Sequence, residues 1–144
     1  SGDIEKIFGE KAAFDTPKPI DLIQQIVHIA TDKDSIVLDS FAGSGTTAHA
    51  VLKLNQQDGG NRRFILTEME DYAERITAER VKRVMQGYAG QPGTGGSFDY
   101  YTLGAPIFTE VGELNEQAGL AGLRQYLYYA ETKQPLPAPS ADDN

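Results

Sequence analysis

Apolar residues recur along this chain first at helical and then at strand spacing. From Ile20 to Ala30 they fall at Ile20, Ile23, Val27 and Ala30, and again at Leu22, Ile26 and Ile29. Two such stripes predict a helix with a broad buried face, laid flat on a sheet. Pro19 suits the first helical position, where its missing N–H would be unpaired anyway. Ser35 to Asp39 is a short β-branched run of the kind buried on both faces of a parallel sheet. Phe41 to Ala48 is a glycine turn that leads into a helix with Ala48, Val51, Leu52 and Leu54 on its apolar side. Gln56 to Asn61 has turn chemistry, and Arg63 to Glu68 reads as a second strand. The three elements make one βαβ unit.

Tyr72 to Gln86 predicts a third helix, with Ala73, Ile76, Val81, Val84 and Met85 inward. Its outer face of Arg75, Arg80, Lys82 and Arg83, interleaved with acids, reads as solvated, and Gly87 should stop it in the left-handed conformation. Residues 89–97, rich in glycine around Pro92, predict a mobile loop. Ser97 to Leu103 reads as a third strand. Leu114 to Tyr129 reads as a fourth helix with Leu120, Leu123, Tyr126 and Leu127 on its apolar face. Residues 1–14 form an N-terminal arm anchored by Ile4, Ile7 and Phe8, and residues 134–144, with three prolines, a disordered tail. Between them lie a main unit, 15–105, and a C-terminal helical extension, 106–133.

Composition narrows the function classes. The 144 residues contain no cysteine, so the chain offers no disulfide, no thiolate zinc site and no cysteine nucleophile. His28, on a helix edge, and His49, on a helix surface, lack the close spacing of a metal-ligand pair, so no metal is expected. No apolar run approaches the roughly 20 residues that cross a bilayer, and no signal segment opens the chain; a cytoplasmic protein with no membrane contact is the expectation. The 21 acidic residues outweigh 13 Lys and Arg for a net charge of −8. Such a surface does not track a nucleic-acid backbone by itself, and any DNA contact should come from a local patch or from residues outside this chain.

The chemistry concentrates in Asp39 to Ala48 together with Glu68. Gly43, Gly45 and Ala48 fit the G-x-G-x-x-G/A spacing of a strand-to-helix turn at which backbone approaches a ligand closely. Glu68, at the end of the next strand, stands where an acid accepts hydrogen bonds from ribose hydroxyls. A nucleoside-containing ligand follows. A dinucleotide would set its pyrophosphate against this turn and helix N-terminus, where Asp39 would repel it. S-adenosylmethionine carries no phosphate, and its ammonium and sulfonium are cationic, so Asp39 favours it over NAD. The Walker spacing and its lysine are missing, which sets ATP aside. A nucleoside-binding module of the NAD type and a pure interaction domain remain as alternatives.

These residues resemble the β-class amino DNA methyltransferases. The resemblance lies in Thr16-Pro17-Lys18-Pro19 before a helix, Asp39-Ser40-Phe41-Ala42-Gly43-Ser44-Gly45-Thr46-Thr47, and Ile65 to Glu70 with Tyr72 nearby. Gly60-Asn61-Arg62-Arg63-Phe64-Ile65-Leu66, Glu79 to Val84, Gly96-Ser97-Phe98 and Tyr101-Thr102-Leu103-Gly104 are similar to the C-terminal part of modification subunits of type III restriction systems. The resemblance implies a site-specific adenine-N6 DNA methyltransferase of α/β class, with a partial Rossmann-like, three-layer fold whose sheet is incomplete here. It makes residues 15–105 the part that binds S-adenosylmethionine. Thr16, Lys18 and Pro19 would close over the methionine end, Asp39, Ser40, Phe41, Gly43, Gly45 and Thr46 would surround methionine and sulfonium, Glu68 would hold the ribose, and Met69 would cover the adenine.

The family's tetrapeptide, Asp or Asn followed by Pro-Pro and an aromatic, is absent, since no Pro-Pro pair occurs in the chain. That tetrapeptide grips the amino group of a flipped base. Its absence, read as truncation, predicts a fragment that is inactive alone. Double-stranded DNA would meet the missing upstream part, and a restriction (nuclease) subunit would be the protein partner. The choice of adenine-N6 over cytosine-N4 rests on the resemblance, because the discriminating tetrapeptide is not among these residues. With one neighbour evident for the Ile36–Asp39 strand, the other edge should be exposed and apolar, and the fragment should self-associate.

Overall fold

A computed structural model describes residues 2–9 and 17–137. Thr16, most of the Thr16–Pro19 segment's upstream neighbours and the end of the tail lie outside the described residues. The chain divides into two units, Ser1–Tyr100 and Tyr101–Asn144.

In the first unit, α1 (Gly2–Phe8) is followed by α2 (Ile20–Ala30), β1 (Ile36–Asp39), α3 (Thr46–Asp58) and β2 (Arg63–Leu66). β1 and β2 pair in parallel with Ile36 opposite Arg63 and Asp39 opposite Leu66, so the expected βαβ unit forms. Its core is Val27 of α2 with Val51 and Leu54 of α3, against which Ile23, Val37 and Phe64 pack. Alternate strand residues point to opposite faces, and this explains where expectation and structure part. Val37 and Phe64 face the helices, whereas Ile36, Leu38 and Ile65 on the other face are each more than half exposed. The β1 run is therefore covered on one face, not two, and the third layer implied by the resemblance is absent among the described residues. The same holds for α2. Its Ile20 and Val27 are buried, but Leu22, Ile26 and Ile29 of the second stripe are each more than half exposed. Pro19 is the residue before the helix, with ψ 127°, rather than its first turn.

The end of the sheet away from the glycine turn is tied by a buried arginine. Gly59 ends α3 at φ +67°, and Arg62 then turns its guanidinium back to Asp58 at 2.9 Å and to the Thr31 hydroxyl at 2.9 Å. Asn55 donates to the Arg62 carbonyl and accepts its amide.

The third predicted helix begins as a π-helical turn, Ala73–Ala78, and continues as α4 (Glu79–Gln86). The opening segment is a helix whose Ile4 and Ile7 are buried, with Arg83 donating to the Ile7 carbonyl at 2.9 Å and lying over the Phe8 ring. Gly87 has φ 103° and ψ 151°, which is not the left-handed cap expected. It lets the chain reverse into β3 (Gly87–Tyr88) and β4 (Gln91–Pro92), an antiparallel pair. The segment expected to be a mobile loop thus folds back on α4, where the Thr94 and Gly95 amides donate to the Val84 and Met85 carbonyls at 3.1 and 3.0 Å. A Cβ on Gly93 would stand 2.2 Å from the Met85 oxygen, so only glycine allows this approach.

No strand forms over 97–103, where the first unit ends and the second begins; within the second unit an isolated bridge joins Phe108 to Leu114. The helix expected from Leu114 starts later, as α5 (Gly119–Thr132), behind a 3-10 turn, Glu116–Ala118, whose Gln117 amide the Asn115 side chain accepts at 3.0 Å. The α5 helix buries no residue fully, and its Tyr126 meets Phe108 edge to face at 5.3 Å.

Candidate functional site: a glycine loop between two carboxylates

Parallel pairing puts the C-terminal ends of β1 and β2 side by side, and the loop into α3 leaves from there. Ligands of open α/β sheets bind at this end. Gly43 and Gly45 adopt φ +54° and +78°, a region that costs an L side chain about 1–2 kcal/mol. The Gly45 amide closes a turn on the Ala42 carbonyl at 2.8 Å, and the Ala42 amide donates to Thr67 at 3.0 Å. Asp39 spans the loop. One carboxylate oxygen accepts the Phe41 amide at 3.1 Å and the other the Thr47 hydroxyl at 2.5 Å.

Glu68 approaches from the other strand. Its Oε2 accepts the Gly43 amide at 2.7 Å, and its Oε1 accepts the Met69 and Glu70 amides at 2.9 and 3.1 Å. Partial burial opposes its charge, but the amides of Glu70, Gly43 and Met69 and the Tyr72 hydroxyl outweigh it and hold the carboxyl below its ordinary range. Phe41 and Met69 lie on the outer side of this pair, 81% and 88% exposed. Ser40 is exposed too, with its carbonyl accepting the Thr67 hydroxyl at 2.9 Å.

The structure therefore brings together Asp39, Ser40, Phe41, Gly43, Gly45, Thr46, Glu68 and Met69. Lys18 and Pro19 are exposed ahead of α2, and among the described residues no hydrogen bond links them to the loop. Thr46 belongs to the loop with its hydroxyl turned inward, 5% exposed as a residue.

What turns it inward is Arg80, which sequence reasoning placed on a solvated face. Arg80 is 1% exposed. Its Nη1 donates to the Ser44 hydroxyl at 2.8 Å and the Thr46 hydroxyl at 2.9 Å, and Nη2 meets Nδ1 of His49 at 3.4 Å. His49, expected on the helix surface, is equally buried. Burial, with the Arg80 and Lys53 charges adding, pushes its imidazole down to about 3, so it is neutral. Burial also pulls the Arg80 guanidinium down to about 10, against Asp3 and Tyr88, which leaves it charged at neutral pH. A signal for Arg80 was present in the sequence: Ile76, Arg80 and Val84 share one stripe at i, i+4 and i+8.

Among the described residues no cluster of His, Asp and Glu could hold a metal ion, and no helix is long and apolar enough to cross a membrane.

Residues 3–79 match the family model described as DNA methylase. That is more than half of the chain, and the chain belongs to this DNA methylase family. It is 38% identical over 130 residues to the type III restriction-modification enzyme StyLTI Mod subunit of Salmonella typhimurium, covering 78% of this chain and 20% of that protein. It is 52% identical over 68 residues to the type II methyltransferase M.KpnI of Klebsiella pneumoniae, covering 47% of this chain and 16% of the relative. With the type III restriction-modification enzyme EcoPI Mod subunit of Escherichia phage P1 it shares 49% identity over 69 residues, 48% of this chain and 10% of the other. The chain thus spans about a fifth or less of the length of these relatives.

Proposed function

We propose that this chain is the S-adenosylmethionine-binding part of a type III-like DNA adenine-N6 methyltransferase, a cytoplasmic modification subunit with a Rossmann-like sheet that meets DNA through other parts and works beside a restriction subunit. The observation that carries the reading is the placement of Asp39 and Glu68 on either side of the left-handed Gly43–Gly45 loop. Asp39 at this helix N-terminus disfavours the pyrophosphate that such a turn otherwise attracts, and the two carboxylates lie at opposite sides of the loop. They favour a ligand with cationic groups at one end and ribose hydroxyls at the other. The family match over residues 3–79 and the Mod subunits among the relatives support the same reading.

The donor supplies a methyl group on a sulfonium. On the chain's side, Asp39 offers negative charge at the tip of β1, and the exposed Phe41 and Met69 offer apolar cover beside Glu68. A carboxylate has about four acceptor positions, and those of Glu68 meet three amides and the Tyr72 hydroxyl. A ribose hydroxyl would take the place of the tyrosine's. Lys18, exposed ahead of α2, would reach the methionine end, with Pro19 setting where the helix begins. With no Pro-Pro pair in its 144 residues, the chain by itself has no grip for a flipped base and transfers no methyl group.

Calorimetry with S-adenosylmethionine and with NAD tests the reading. Heat with the first and none with the second is expected; the reverse, or binding of neither, overturns the assignment. Methylation of adenine in DNA by the 144-residue chain alone would overturn the claim that the acceptor site is missing.

A further inference from the structure

The underside of the glycine loop is gripped by a single turn of the neighbouring helix. The Thr77 hydroxyl donates to the Gly43 carbonyl at 2.5 Å, and the Thr77 carbonyl lies 3.2 Å from where a Cβ on Gly45 would be. Three residues on, Arg80 takes the Ser44 hydroxyl, the Thr46 hydroxyl and, at 3.3 Å, the Ser44 carbonyl with one nitrogen. Gly43, Ser44 and Thr46 are thus bonded from below, and Thr77 stands close beneath Gly45.

Packing alone does not explain this arrangement. A buried guanidinium is ordinarily matched by a carboxylate, since its desolvation cost is large. The hydrogen-bond partners of Arg80 are two hydroxyls, a carbonyl and a neutral imidazole, and among the described residues its buried Nε has none. A methionine between Ile76 and Val84 would fill the same stripe without that cost. The planar fork of arginine sets one terminal nitrogen against three acceptors on Ser44 and Thr46 and, at the same time, the other against His49. The histidine is fixed along with it. Arginine only donates, so Nδ1 of His49 accepts, its proton sits on Nε2, and Nε2 faces the Tyr88 hydroxyl at 3.4 Å.

We propose that Arg80 is a positioning residue for the methyl donor: from beneath, it sets the Ser44–Thr46 segment in the shape that presents the loop's outer face, without touching the donor itself. The donor part of this statement rests on the reading in the preceding subsection; the grip on the loop does not.

Three variants test it. Ser44→Ala removes a hydroxyl that is bonded to Arg80 and Thr46 and is too buried to reach a ligand. Arg80→Lys keeps the charge and loses the fork, and Arg80→Met loses both. Donor affinity is measured by calorimetry well below each variant's melting temperature, and the amide resonances of Gly43 and Gly45 and the imidazole ¹⁵N shifts of His49 are recorded without donor. Expected are an affinity loss of about threefold for Ser44→Ala and about tenfold or more for Arg80→Lys, displaced glycine amides in both, and loss of the Nε2–H signature of His49 in Arg80→Met. A lower melting temperature with unchanged affinity and unmoved glycine amides means a merely structural arginine and overturns the proposal. Should the Arg80 variants fail to fold, Ser44→Ala alone decides by the same readings. Should the unaltered chain bind no donor, the donor reading falls, and the glycine amides by themselves decide whether Arg80 sets the loop.

Discussion

The Glu68 carboxylate accepts the Gly43 amide at 2.7 Å, so the tip of β2 holds the loop that leaves β1. Hydrogen bonds to an ionised acceptor contribute about 1.5–3 kcal/mol each. Glu68→Gln keeps one acceptor oxygen and loses the charge that three amides share. The expected result is a lower urea midpoint together with a donor affinity reduced at least tenfold. Tyr72→Phe, which frees one acceptor position on Glu68, is expected to tighten donor binding a few-fold; calorimetry on both variants checks the pair of statements, and tightening by Glu68→Gln would show that the acid does not hold the ligand.

Gly45 and Gly59 make an internal comparison. Both have positive φ, +78° and +67°, so alanine costs each about 1–2 kcal/mol in backbone strain. Around Gly59 a Cβ meets nothing within 4 Å, whereas at Gly45 it meets the Thr77 carbonyl at 3.2 Å. Gly45→Ala is therefore expected to lose clearly more stability than Gly59→Ala in denaturant titrations, and only Gly45→Ala should weaken donor binding. Equal losses would mean that the close approach of Thr77 does not matter.

The buried imidazole sets a pH dependence. In the unfolded chain His49 binds a proton below about 6.5, but in the fold it does so only near 3. The unfolded state thus takes up the extra proton between these values, and stability falls as pH drops from about 6.5 towards 3. Its contribution is of order a few kcal/mol at most. Glu68 acts in the same direction at lower pH, because a depressed carboxyl loses its stabilisation only below its ordinary range. His49→Gln should flatten the melting-temperature profile between pH 6.5 and 4.5 and leave the steeper acid limb in place. An unaltered profile would place a protonated histidine in the fold.

A sheet face of Ile36, Leu38 and Ile65 open to solvent, with β1 paired on one side, favours association. Sedimentation velocity of the chain should show mass rising with concentration, and Leu38→Gln with Ile65→Thr should suppress it. A single monomer boundary at high concentration in the unaltered chain would contradict this.

The sequence was legible where period and turn chemistry agree. The β1 and β2 strands, the α2 and α3 helices and the glycine turn at Gly43 and Gly45 follow from local residue types, whereas the strand expected over 97–103 does not form; Asp39 and Glu68 stand at the loop because a parallel βαβ unit leaves nowhere else for strand ends to meet. Burial was less legible. Leu22, Leu38 and Ile65 look like core residues in one dimension, yet nothing among the described residues covers them. Arg80 and His49 look like surface residues and are buried: Arg80 shares the stripe of Ile76 and Val84 despite its charge, and His49 lies against Arg80 and Tyr88. The 89–97 segment has the composition of a loose loop, but its Gly93 serves close approach to the end of α4.

The two buried arginines stand at opposite poles of α3. Arg62, at the carboxyl end, lies where the helix's own field welcomes a cation, and Asp58 is its direct partner. Arg80, at the amino end, lies where that field opposes a cation, and none of its hydrogen-bond partners is a carboxylate. One helix is thus clamped firmly at one end and against its own dipole at the other. Amide hydrogens should exchange slowly near Leu54 and progressively faster towards Thr46, so that local opening starts under the glycine loop. If exchange follows that order, the site sits at the end of the helix where reshaping around an incoming molecule costs the fold least.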